Sequence, residues 1–80
     1  MKASVLQSLP LDQRLAHYLT QYDIRQQRSR YYNPFALGIY LDRAEKVSQE
    51  VASGTPLKQA LENNFNDRLL AMLLKKEGLA

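Results

Sequence analysis

Cysteine is absent from the chain, which removes disulfide scaffolds, thiolate metal sites, iron–sulfur clusters and thiol catalysis together. There is no tryptophan, and the single histidine, His17, excludes any site that needs two imidazoles. Glycine and proline number only three each, and 45% of the residues are hydrophobic. That balance argues against a low-complexity or disordered chain. No apolar run approaches the ~18–20 residues that a membrane span requires, and residues 1–10 lack a secretory core. One local shortage stands out: no acidic residue occurs between Asp23 and Asp42. What is there is an 80-residue chain of formal charge +3, expected to form one soluble, cytoplasmic domain. A domain of this size is near the margin of independent stability, so it needs well-packed helices or a partner subunit.

The prolines and glycines punctuate four apolar periodic stretches. Pro10, Pro34 and Pro56 each precede one, where the ring suits a first helical turn. Gly54 and Gly78 fall just past two of them, where a left-handed closing residue is wanted. After an N-terminal tail at 1–9, helices are expected at about 10–26, 34–53, 56–63 and 67–77. The first carries the stripe Leu11, Leu15, Tyr18, Leu19 and Tyr22. The second, with Asn33 as N-cap, turns Leu37, Tyr40, Leu41, Ala44, Val47 and Val51 inward. Gly38 near its start either permits a close helix–helix approach or only loosens the first turn. The third is short, capped by Thr55, with Leu57, Ala60 and Leu61 inward. Asn63-Asn64 is expected to turn in the left-handed conformation, and Asn66 to cap the fourth. No strand pattern or repeat is found. The expected fold is all-α, a compact bundle of four short-to-medium helices in non-ideal orthogonal packing.

Chemistry-bearing residues are sparse. His17 has Gln13 and Gln21 as its i±4 neighbours, so no carboxylate orients it as a base or ligand. Asp42 and Glu45, interleaved with Arg43 and Lys46, have the pattern of surface pairing. There is no phosphate loop and no nucleophile motif. The chain is therefore not expected to be an enzyme, to hold a cofactor or metal, or to take a small-molecule substrate.

The segment Ile24–Tyr32 is the most informative. Arg25, Arg28 and Arg30 fall within six residues, so the local charge equals that of the whole chain. Arginine offers a planar fork to phosphate and a flat face for stacking, and Tyr31 and Tyr32 offer rings to unpaired bases. Three readings stay open: single-stranded nucleic acid, an acidic protein partner, or tyrosines packed over the core edge beside solvated arginines. A DNA-reading helix-turn-helix at 56–78 fits poorly, because residues 69–74 hold no polar side chain for base edges. Those residues, Leu69, Leu70, Met72, Leu73 and Leu74, cover roughly 200° of helix arc. Such a surplus is expected to pair with a second copy, giving a homodimer, or to dock another protein.

The order Tyr18-Leu19, then Pro34 with Leu37-Gly38-Ile39-Tyr40, then Leu57-Lys58-Gln59-Ala60-Leu61 resembles the core helices of the FinO/ProQ family of bacterial RNA-binding domains. The resemblance covers residues 15–78, and Lys58 stands where the family has an RNA-contacting arginine. It implies an RNA ligand, Lys58 as a backbone contact, and phosphates at the helix starts after Asn33 and Thr55. The expected function is a small non-enzymatic protein that binds RNA or single-stranded nucleic acid through Arg25, Arg28, Arg30, Tyr31, Tyr32 and Lys58. The alternative is a helical adapter or regulator of phage or plasmid type, acting through its apolar fourth helix.

Overall fold

The computed structural model describes residues 3–80, and Met1 and Lys2 of the expected tail lie outside them. Five helices are present among the described residues: α1 (Ala3–Ser8), α2 (Leu11–Gln26), α3 (Ala36–Ala52), α4 (Leu57–Asn64) and α5 (Asp67–Lys76). The all-α class is observed. α2 packs on α3, α3 on α4, α4 on α5, and α5 returns to α2. Ten side chains fill the enclosed space, led by Leu15, Leu19, Val47, Leu61 and Leu73, with the Tyr18 and Phe65 rings among them. No helix of the described residues is long and apolar enough to cross a membrane.

The expected stripes account for most of this core, and their edges show where angular position decides burial. At 100° per residue, Leu41 sits about 80° from the centre of the α3 stripe, and it is exposed rather than inward. Gly38 is exposed, and a Cβ built on it meets no atom within 4 Å. No close helix approach depends on that glycine. The short α1 replaces the expected tail: Leu6 is packed against the core, and Leu9 N–H donates to the Leu6 carbonyl at 3.2 Å. With Pro10 two residues past its end, α1 does not continue into α2.

The helix ends are built differently from a simple capping scheme. Pro10 and Pro56 are the N-cap residues of α2 and α4, at φ −53° and −57° with extended ψ, rather than first helical residues. α3 begins at Ala36, because Asn33 first makes a turn: its Oδ1 accepts the Phe35 N–H at 2.9 Å and its carbonyl accepts the Ala36 N–H at 3.1 Å. Thr55 makes no side-chain cap; its N–H donates to the Glu50 carbonyl at 3.0 Å. Asn66 is the N-cap residue of α5, as expected, with the extended backbone usual at that position but no side-chain cap bond. Gly54 and Gly78 do close their helices at positive φ, +106° and +72°.

The Asn63-Asn64 pair corrects another expectation. Neither adopts a left-handed conformation; that role falls to Asp67, at φ 53°. The two asparagines stay helical because their side chains have another task. Asn63 and Asn64 donate to the two oxygens of Glu50 at 2.9 and 2.6 Å, and Asn64 also donates to the Ala60 carbonyl at 2.8 Å. These amide donors hold the Glu50 carboxyl below its ordinary range and tie the end of α4 to α3.

A second carboxylate closes the other side of the bundle. Arg14, on α2, donates from Nη2 and Nε to Glu77 at 2.7 and 3.1 Å, a bidentate fork, and Tyr18 OH donates to the same carboxylate at 2.9 Å. Arg14 also donates to the Leu9 carbonyl at 2.9 Å, so one guanidinium joins the end of α1, the start of α2 and the end of α5. Burial and the Glu77 bond push the Tyr18 hydroxyl up to about 12. A hydroxyl raised in the folded state stabilises below its unfolded value and loses that contribution as pH rises through the folded one. The unfolding midpoint of the protein therefore falls between pH 10 and 12, and Tyr18→Phe makes that fall shallower in a denaturation series across this range. At the exposed Gly38, substitution by alanine raises stability by roughly 0.5–1 kcal/mol, read as a higher urea midpoint at unchanged slope.

Candidate nucleic-acid interface

The connection between α2 and α3 runs from Gln27 to Phe35 and contains most of the basic-aromatic segment, whose Ile24, Arg25 and Gln26 end α2. It is organised by Asp23, in the last turns of α2. Asp23 is 5% exposed, the one charged side chain in the buried set. A carboxylate is withdrawn from water at this cost only when donors replace the water. Tyr32 OH donates to both of its oxygens, at 3.0 and 2.9 Å, and Gln27 Nε2 lies 3.4 Å from Oδ2. The carboxylate raises the Tyr32 hydroxyl above its ordinary value.

This bond pulls the chain back over the end of α2, and adjacent residues then diverge. Tyr32 is half-buried, whereas Tyr31 is 86% exposed and Phe35 is 78% exposed. Ser29 Oγ accepts the Tyr31 N–H at 3.2 Å, fixing the backbone that presents the ring. Six large apolar side chains are exposed among the described residues, and all but Val5 fall between Ile24 and Leu41. The acid-free stretch of the sequence is thus also the stretch that leaves apolar and aromatic surface in water.

Arg25, Arg28 and Arg30 are all exposed. The sole ion pair among the described residues is Arg14–Glu77, so no carboxylate neutralises them there. Arg28 and Arg30 lie in the connection beside Tyr31, while Arg25 lines a recess on another side of α2 with His17, Leu6, Met72 and Lys76. Lys58 is not brought to them. It is exposed in the first turn of α4, beyond the far end of α3, and a helix of that length separates it from the arginines by about 25 Å.

Four tyrosines surround a cleft of about 150 Å³ at the junction: Tyr22, Tyr31, Tyr32 and Tyr40, with Asp23 and Ser29 also in its lining. Tyr22 and Tyr40 meet edge to face, centroids 6.4 Å apart. Sequence reasoning assigned both to core stripes and passed over Phe35. The available signal was position: Tyr22 and Tyr40 sit at the ends of their helices that flank the acid-free connection, and Phe35 falls outside the α3 stripe. No family model, curated protein or solved structure matches the chain.

The other expected site looks different in three dimensions. The apolar block on α5 is not a bare strip: Leu69 and Leu73 are core, and Leu70, Met72 and Leu74 are half-buried against it. The cover comes from parts the sequence did not announce. Leu6 of α1 lines a recess with Met72, and Leu79, beyond Gly78, folds back to donate its N–H to Leu74 at 2.8 Å. Asp42 and Glu45 form no ion pair with Arg43 or Lys46. His17 is half-buried with its ring edge to face with Tyr18 at 6.3 Å. No group of three metal-ligating side chains occurs among the described residues.

Removing the clasp tests this local architecture. Tyr32→Phe lowers the urea midpoint and speeds amide exchange at Phe35 and Ala36, because the buried carboxylate loses its main donor. The wild-type protein loses the same contribution as pH rises above 10, the ordinary tyrosine value, and through the raised one; the variant does not.

Proposed function

We propose that this chain is a non-enzymatic binding protein whose ligand is RNA or another single-stranded nucleic acid, held at the α2–α3 junction. The observation that carries the reading is the exposure of Tyr31 and Phe35 on either side of the pinned Tyr32, in a connection that also carries Arg28 and Arg30. An aromatic ring in water costs free energy that burial would recover. Rings held outward by a fixed backbone beside unpaired guanidiniums match what single strands need, since bases stack on the rings and phosphates meet the cations. The buried Asp23 strengthens this match, because the nearest acid is withdrawn from the surface that a polyanion would approach.

Arg25 extends the basic surface around α2, and with Lys76 and His17 it offers a second place for backbone phosphates. Lys58, the contact implied by the FinO/ProQ resemblance, belongs to a separate part of the molecule; a short strand seated at the junction does not reach it. A partner docking on the apolar face of α5 has less to bind than the sequence promised, since that face is largely covered by its own chain.

The test is the salt dependence of binding. Affinity for a short single-stranded RNA falls as salt rises, and replacing Arg25, Arg28 and Arg30 by alanine flattens the log–log slope by about 2, from ~0.7 per phosphate contact. Lys58→Ala leaves the slope for the short strand unchanged. An unaltered slope in the triple variant removes the junction from the binding surface.

A further inference from the structure

We infer that the tyrosine-lined cleft at the junction is a pocket for one unpaired base, and that it selects guanine. This rests on the nucleic-acid reading above and adds which part of the strand is read. Four of the five tyrosines of the chain line the cleft, so its walls are aromatic. At about 150 Å³ it is well below the roughly 300 Å³ at which cofactor-sized sites begin. That volume suits a planar ring whose sugar and phosphates stay outside.

Among the polar side chains of the lining, Asp23 is the one that carries oxygens and no N–H donor or neutral hydroxyl. No lysine or arginine lines the cleft, and Asp23 is its one charged group. A carboxylate has about four acceptor directions. Here one shared tyrosine O–H and one amide contact at 3.4 Å leave capacity on both oxygens. Ser29 Oγ and Asn33 Oδ1, also in the lining, already accept backbone N–H groups. The carboxylate favours a base edge made of donors, whereas Gln26 and the hydroxyls, which both donate and accept, do not discriminate. Guanine presents two adjacent donors, N1–H and the N2 amino group, spaced for the two oxygens of a carboxylate. Uracil presents carbonyl oxygens on both sides of its N3–H, and the carboxylate repels them. Arg28 and Arg30 flank Ser29 in the chain, so a base entering the cleft brings its phosphates toward guanidiniums. An ammonium group would also suit four rings and a carboxylate, but the same arginines repel a basic peptide.

The experiment compares short oligouridylates that carry uridine, guanosine, inosine or an abasic residue at one internal position, with affinities read by fluorescence anisotropy. The guanosine strand binds at least about fivefold more tightly than the all-uridine strand. Inosine, which lacks the N2 amino group, loses most of that gain, and the abasic strand gains nothing. Asp23→Asn keeps an oxygen for the Tyr32 hydroxyl but presents an amide donor to the base; it abolishes the guanine preference while retaining oligouridylate binding. Tyr31→Ala, at a side chain with no part in the core, weakens the guanosine strand about fivefold or more and the all-uridine strand less, because a wall of the cleft is lost, and this difference keeps the test decisive if the Asp23 variant does not fold. Equal affinity for all four strands, with salt-sensitive binding intact, overturns the base pocket and leaves the nucleic-acid reading standing. Absence of salt-sensitive binding to any strand overturns both. Binding of a lysine-rich peptide that Asp23→Asn abolishes, without any guanine preference, overturns the assignment in favour of an ammonium cage.

Discussion

The carboxylate of Asp23 is withdrawn from water at the end of α2, and the shape of the junction follows from how that charge is satisfied. Its donor, the Tyr32 hydroxyl, comes from nine residues along the chain. Meeting it forces the connection to double back before α3 begins. The entropy cost of closing so short a loop is modest, and the return is a hydrogen bond to a charged acceptor, stronger than a neutral one. Once Tyr32 is held, Tyr31 has nowhere to pack, and the Asn33 turn that follows delays α3 to Ala36 and leaves Phe35 in water. The exposed aromatics are a consequence of the clasp.

Two further carboxylates serve as joints between helices. Glu77 gathers Arg14 and Tyr18 where α2 meets the end of α5, and Glu50 gathers Asn63 and Asn64 where α4 meets α3. Three of the eight acidic side chains are thus engaged in holding the fold. The cations are used differently: Arg14 alone is tied to a carboxylate among the described residues. An almost even composition of acids and bases therefore yields a surface around residues 24–41 that is wholly basic and partly apolar. The net charge of the chain understates this asymmetry, since it counts buried and exposed groups alike.

Much of the fold was legible because the α2 and α3 stripes are long enough for helical periodicity to be unambiguous. Leu15, Leu19, Val47 and Leu61 could be named as core from spacing alone. The misses share a cause: they depend on contacts between residues far apart in the chain. α1 is too short to show a period and is held by Leu6 against the bundle. The apolar block of α5 reads as a bare strip in the sequence, whereas Leu69 and Leu73 are core and Leu70, Met72 and Leu74 are half-buried against it. Asn63 and Asn64 have the local signature of a left-handed turn, yet a carboxylate thirteen and fourteen residues away recruits both. At the junction, composition revealed the arginines and Tyr31. It could not separate Tyr31 from Tyr32, because only the partner Asp23 distinguishes two identical neighbours, and it could not bring Tyr22 and Tyr40 to the same cleft.

The central claim is that the α2–α3 junction, rather than the α5 face or the start of α4, is the surface that meets a ligand. Backbone amide chemical shifts recorded while a short single-stranded RNA is added test it most directly. The expected shifts concentrate between Ile24 and Tyr40, with the largest at Arg28 to Phe35, while Lys58 and the Leu70–Leu74 stretch stay still. Shifts confined to α4 and α5, or spread evenly over the molecule, would contradict it.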